Sequence, residues 1–354
     1  MAEASFSEEP RPRNQYRTLA ELSGGLSRRA VLGATATALF APAVRSQSQL
    51  REISIPITST SFATASVRAA EILGCFGRHS LSAKFPLMDT GSNVTAALVS
   101  GSTQVALGGA GEQVAAAARG QPIVALTNTY WGLASTLVLA SEVAQKTGIS
   151  ATAPIQERLK ALDGILIAFP SATSTYTNSF RGAAEATGAK IRSTYMGQPA
   201  MVAALESGVV QGYSAGAPFW GDQVKRGKAV VWISGPKGEL PRKNTPASIT
   251  SFHTMRPFAE ANSSLMRQIL DSYRDYSNIL EQSPDRVRGA LAKLYPEIDP
   301  ATLDLLFEAE HRGWIMRDVS LDDVKQDIAF MVASGISLPG IEKVDPASLL
   351  YKPR

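Results

Sequence analysis

Two stretches of the chain, 107 residues apart, carry nearly the same text. Residues 96–109, AALVSGSTQVALGG, and 203–216, AALESGVVQGYSAG, agree at seven of fourteen positions, including Ala-Ala-Leu, the Ser-Gly after it and a closing glycine. Each copy reads as a helix ended by a glycine, which enters the left-handed region at little cost, then a short strand and a small-residue loop. Two lobes built on one βαβ plan account for the echo better than chance similarity of Ala- and Gly-rich text.

The rest of the chain alternates in the same way, which places it in the α/β class. Strands are expected at Glu52–Thr58, at Ser80–Thr90 with Pro86 confining it to an edge or a kink, at TQVALGG, at PIVALTNTYW and at Ile165–Phe169. The helix GSNVTAALVSG offers Ser92 or Asn93 as its N-cap and Gly101 as its end, and EQVAAAARG ends at Gly120. From Pro257 the chain reads as almost all helix. Leu265, Ile269, Tyr273, Tyr276 and Leu280 recur at three- and four-residue spacing and mark one buried face.

Ahead of this pattern stands SRRAVLGATATALFAPA, Ser27 to Ala43. Its apolar run is too short for a membrane-spanning helix, which needs roughly 20 apolar residues. It has the basic, apolar and small-residue parts of an export signal, and Arg28-Arg29 with Ser27 and Leu32 resembles the twin-arginine type. Residues 1–46 are therefore expected to be removed, leaving a periplasmic chain that begins between Val44 and Gln49. The removed part holds six basic and four acidic residues, so the net charge of +4 falls by two. No basic run interleaves with aromatics, so a nucleic-acid groove is not expected. The single cysteine, Cys75, rules out an internal disulfide, and its apolar helical setting reads as a buried thiol. His79, His253 and His311 share no metal-ligand spacing, so neither metal nor cofactor is expected.

Three loops share one composition, hydroxyls and glycines just before a helix: residues 59–61, 90–93 and 171–175. Helix starts present unpaired N–H groups and partial positive charge, and open α/β sheets bind ligands at the carboxyl ends of their strands. Two enzyme motifs compete. GYSAG, Gly212 to Gly216, matches a nucleophile elbow, which needs a strand before it, a helix after it and a histidine downstream. GGAGEQV, Gly108 to Val114, is a partial dinucleotide fingerprint with Val114 at the third glycine position.

Three loose motifs in order carry a family resemblance: Leu98, Gly101 and Gly108; Leu162, Gly164, Ile167, Pro170 and Thr173; and Ala204, Leu205, Gly208 and Pro218 with Phe219-Trp220. Over roughly 51–335 the chain resembles the periplasmic substrate-binding proteins of ABC importers, in the nitrate/sulfonate/taurine and thiamine-precursor-like group. The Gly-Ser usual after the second motif's proline is replaced here by Ser171-Ala172-Thr173-Ser174. The resemblance implies the type 2 periplasmic-binding fold, with two mixed sheets flanked by helices and joined by a two-strand hinge. It implies a first lobe in 47–133, a second in 134–248 and a return to the first in 249–354, with hinges near Thr129–Thr136 and Pro246–Phe252. It further implies a monomeric receptor that delivers a small-molecule ligand, a small organic anion, to a permease at the inner membrane. On that reading Ser59, Thr60, Ser61, Ser92, Asn93 and Gly109 line one lobe, and Thr173, Ser174, Thr175, Gln198 and Pro218 the other. Trp131 packs on the ligand or on the hinge. A thiamine-pyrimidine ligand, a sensor's binding module, or an enzyme on the same scaffold with Cys75 or Ser214 as nucleophile are the alternatives.

Overall fold

The computed structural model describes residues 50–88, 90–172, 174–334 and 338–353. The export segment read at 1–46, and Thr173, lie outside the described residues.

Among the described residues ten strands appear in chain order: β1 Arg51–Ser54, β2 Leu81–Lys84, β3 Val105–Gly108, β4 Ile123–Trp131, β5 Thr136–Ala140, β6 Leu166–Phe169, β7 Arg192–Tyr195, β8 Gly212–Ala215, β9 Ala229–Ser234 and β10 Ser248–Met255. The fold is α/β, with its sheets flanked by helices. The second sheet is mixed, in the order β7-β6-β8-β5-β9, with β6 parallel to β7 and β8, and β5 antiparallel to β8 and β9.

The first sheet departs from expectation. It is divided into a parallel pair β1-β2 and an antiparallel trio β3-β10-β4. Prolines explain the division and the early ends of β1 and β2. Pro56 and Pro86 have no N–H to give a ladder. Beyond Ser54 the pairing continues as isolated bonds, Ile55 N–H to Lys84 O at 2.8 Å, Ile57 N–H to Pro86 O at 3.0 Å and Met88 N–H to Ile57 O at 2.9 Å. Leu107 N–H bonds to the Pro56 carbonyl at 3.0 Å and so joins the two parts.

The echoed segments fold alike. Gly101 and Gly208 take φ of +76° and +73° after their helices. Thr103 N–H returns to Ala97 O at 3.1 Å, and its counterpart Val210 N–H to Ala204 O at 3.2 Å. Each turn then feeds a buried strand, β3 in one sheet and β8 in the other.

The chain passes between the sheets twice, from β4 to β5 through Gly132–Ser135 and from β9 to β10 through residues 235–247. The passages lie side by side, since Gly132 N–H bonds to Ala247 O at 2.8 Å and Gly235 N–H to Ser135 O at 2.9 Å. A side chain at Gly235 would strike the carbonyls of Leu133 and Ser135, which fixes glycine there.

Helix Ser263–Gln282 buries Leu265, Ile269, Tyr273, Tyr276 and Leu280, the face its spacing marks. Tyr273 lies against Phe252 of β10, and its hydroxyl sits 2.7 Å from Thr129 O and 2.9 Å from Trp314 O, its one proton within reach of both carbonyls. A second core of Leu137, Ile167, Phe169 and Trp232 sits within the five-stranded sheet. Among the described residues no helix is long and apolar enough to cross a membrane.

Substituting Gly208→Ala should destabilise the fold by about 1–2 kcal/mol, because alanine resists the left-handed region. Urea unfolding checks this. A change below a few tenths of a kcal/mol would show that the turn relaxes.

Candidate functional site

A cavity of about 410 Å³ opens between the sheets, within the size range of small-molecule sites. Loops at the carboxyl ends of strands form most of its wall. After β1 come Thr58, Ser59, Ser61 and Thr64; after β3, Gly108, Gly109 and Glu112; after β6, Pro170 and Ser174 to Tyr176. Gln198 adds to the second sheet's side, Ser248–Thr250 to the start of β10, and Asp327, Phe330 and Met331 to the floor.

The first loop is folded on itself. Ser59 and Ser61 hydroxyls meet at 2.8 Å, and the Thr64 hydroxyl donates to the Ser59 carbonyl at 2.8 Å. Phe62 N–H docks on Ala217 O at 3.0 Å, which ties this loop to the far side of the cleft. On the second sheet's side, Ser174 caps helix Thr175–Glu185 by accepting from Thr177 N–H at 3.1 Å. Gln198 opens helix Gln198–Glu206, and its Oε1 accepts from Gly216 N–H at 2.8 Å. Gly216 is the residue that closes the second copy of the echo.

Of the expected site residues, Ser59, Ser61, Gly109, Ser174, Thr175 and Gln198 come together on this cavity. Ser92 and Asn93 do not. Thr90, not either of them, caps the helix Gly91–Val99, accepting from Asn93 N–H at 3.1 Å. That shift leaves Ser92 and Asn93 exposed, and Gly91 lines the cavity instead. Thr60 and Pro218 line a separate hollow of about 290 Å³ instead. The Thr60 carbonyl is taken there by the Tyr295 hydroxyl at 2.7 Å. Trp131 also faces elsewhere: its indole N–H donates to Arg312 O at 3.1 Å, and the Arg317 guanidinium stacks 3.7 Å over its ring.

Two carboxylates of the cavity escaped the sequence reading. A methyl group at Gly91 would meet Glu112 Oε1 at 2.5 Å, and one at Gly109 would meet Oε2 at 2.5 Å. The Glu112 carboxylate therefore lies against the first residue of helix Gly91–Val99 and the cap of helix Ala110–Ala118. Both helix starts bring partial positive charge to it. The GGAGEQV text holds this glutamate among the glycines that invite its approach. Asp327, 4% exposed, has no local signal, because it reaches the cavity only when helix Leu321–Ala333 folds back. Its Oδ1 accepts from Ala247 N–H at 2.7 Å, at the second passage between sheets. Among the described residues no lysine or arginine lines the cavity.

The nucleophile-elbow motif does not keep its geometry. Gly212–Ala215 is strand β8 itself, in register with β5, and Ser214 is buried with its hydroxyl 2.8 Å from that of Ser135. The His253 ring is taken by Ser251 at 2.8 Å. Cys75 is buried, and burial pushes its thiol up from the ordinary value.

Burial pushes both Asp327 and Glu310 up to about 7. Glu310 is fully buried and accepts from the Tyr130 hydroxyl on β4, and its Oε1 has no partner among the described residues. The folded chain thus holds protons that the unfolded chain releases at the ordinary values of 3.8 and 4.5. Stability should fall as pH rises from those values to about 7, and level off above. Asp327→Asn and Glu310→Gln should each flatten that fall in urea unfolding measured from pH 4.5 to 8. An unchanged slope in both variants would contradict the assignment.

No family model matches the chain, and no curated protein matches it in sequence. Solved structures do. The alkanesulfonate-binding protein SsuA from Xanthomonas axonopodis pv. citri, bound to MOPS, superposes with a TM-score of 0.62 at 18% identity, over 85% of this chain and 98% of that one. The periplasmic aliphatic sulphonate binding protein SsuA from Escherichia coli gives 0.61 at 16%, over 84% and 98%. The periplasmic nitrate-binding protein NrtA from Synechocystis PCC 6803 gives 0.56 at 10%, over 86% and 92%. At such identities the likeness is one of fold, and the fold is that of the periplasmic binding proteins.

Proposed function

We propose that the chain is the solute-binding receptor of an ABC importer. It is exported to the periplasm by the twin-arginine-type signal in 1–46, and it delivers a small organic anion of sulfonate, taurine or nitrate type to a permease at the inner membrane. The observation that carries this reading is the 410 Å³ cavity walled by loops from both sheets beside the paired passages. The fold shared with sulfonate- and nitrate-binding proteins supports it.

Binding works by closure. Lobe I, from 47–133 and 249–354, and lobe II, from 134–248, rotate about the passages near Thr129–Thr136 and Pro246–Phe252. A solute that touches both walls stabilises the shut form, because the contacts exist together only there. Ser174, Thr175 and the start of helix Gln198–Glu206 offer hydroxyl and backbone donors from lobe II. Ser59, Ser61 and Gly109 contribute from lobe I. No bond is broken, so no general acid or base is required, and the receptor acts as a monomer.

A thermal-shift screen of sulfonates, carboxylates, nitrate and pyrimidines tests the reading. A true ligand at 100 times its dissociation constant should stabilise the protein by about 2.7 kcal/mol. Thr175→Ala and Gln198→Ala should each weaken it about tenfold, near 1.4 kcal/mol. The proposal fails if no member of the screen shifts the transition, or if both substitutions leave affinity unchanged.

A further inference from the structure

The loop that brings Ser59 and Ser61 to the cavity is held from its other side. Behind it lies the 290 Å³ hollow, and Ser61 lines both spaces, so the loop is the partition between them. Its carbonyls are taken one after another. The Tyr295 hydroxyl donates to Thr60 O at 2.7 Å, and Arg68 Nη1 donates to that carbonyl and to the Tyr295 oxygen, both at 3.2 Å. Thr64 N–H closes on Ser61 O at 3.1 Å, and the Trp314 indole N–H donates to Phe62 O at 3.0 Å. The Phe62 ring packs against Tyr295 at 4.8 Å and Trp314 at 5.8 Å, and all three side chains are buried. The corresponding loop on the second sheet's side holds itself. There the Thr177 hydroxyl and Ser174 N–H both donate to Ser171 O, at 2.6 and 3.3 Å. The first loop instead depends on Tyr295 and Trp314, which stand 235 and 252 residues along the chain from the carbonyls they hold.

We propose that Tyr295, backed by Arg68, is a positioning residue for solute capture: it fixes loop 59–62 from the far hollow, so that Ser59 and Ser61 stand in the cavity wall in one conformation before a solute arrives. The inference rests on the receptor reading and concerns how that site is held, whatever its solute. Ordering a loop costs backbone entropy, and a loop ordered in advance spares the solute that loss on binding. Arg68 polarises the Tyr295 hydroxyl it donates to, which strengthens that hydroxyl's own bond to Thr60. Tyr295 touches the loop only from behind, so it acts on the solute through Ser59 and Ser61.

Tyr295→Phe removes the hydroxyl and keeps the ring on Phe62. In the solute-free variant, amide exchange at Phe62 and Thr64 should speed up, and Arg68→Gln should speed it in the same direction. The urea midpoint, measured alongside, separates a loosened loop from a lost fold. Calorimetry with ethanesulfonate, 2-aminoethanesulfonate and nitrate should show each probe that binds held about fivefold more weakly by Tyr295→Phe. In a Ser59→Ala/Ser61→Ala background the same substitution should change affinity by less than about twofold, because residues that act through one another are not additive. A role in overall stability alone would leave the two effects additive. If Tyr295→Phe leaves either exchange or affinity as it was, if Arg68→Gln leaves exchange as it was, or if the full loss of affinity persists in the double-alanine background, the inference is wrong while the receptor reading stands. If none of the three probes binds the unaltered protein, the receptor reading fails and takes the inference with it.

Discussion

The pairing of β4 with β10 is the constraint on which the rest of the molecule depends. These strands lie 117 residues apart at the register pair Ser248 and Trp131, and the whole five-stranded sheet is threaded between them. Pairing them brings both passages between sheets to one place, where Gly132 bonds to Ala247 and Gly235 to Ser135. The register of β4 and β10 shifts between Ser248 and His253, so the ladder is irregular where the chain leaves the first sheet. Tyr273 then pins the carbonyl of Thr129 from behind. Without that pairing the loops that wall the cavity would belong to unconnected halves.

The chemistry of the cavity follows from where helices begin. A helix start carries unpaired N–H groups, and several such starts converge on the space between the sheets. The first sheet's side has glycine at two of them, Gly91 and Gly109, and the lack of a Cβ lets the Glu112 carboxylate of helix Ala110–Ala118 lie beside both. On the second sheet's side, helix Thr175–Glu185 is capped by the Ser174 hydroxyl and has no acidic residue in its first turn. One architecture, repeated, thus yields one side with a carboxylate beside its helix starts and one side with none in the first turn.

The fold was largely legible because its signals are local. The glycine at the end of each echoed helix, the alternation of short apolar runs with helices, and the spacing of Leu265 to Leu280 all act within a turn or two of the chain. The proline-divided first sheet was half legible: Pro86 announced a limit, whereas the effect of Pro56 depends on which neighbour β1 must reach. The site was legible where a strand hands over directly to a helix, as at Ser59, Gly109 and Ser174. It was misread where a two- or three-residue shift of the cap, to Thr90, turned Ser92 and Asn93 to solvent. It was invisible where distant segments meet. Asp327 arrives from the last long helix, and Trp131 is drawn away from the cavity by Arg312 and Arg317, which no local pattern reveals.

The most direct test of two walls closing on one solute is a distance across the cleft mouth. Asn93 is exposed on the first sheet's side, and Tyr195, 43% exposed, ends β7 beside the β6 loop on the other. Spin labels at these two positions, read by pulsed electron resonance while 2-aminoethanesulfonate is added, report that distance. The account predicts a shortening that follows the binding curve and saturates with it. A distance that stays the same while the solute binds would contradict it.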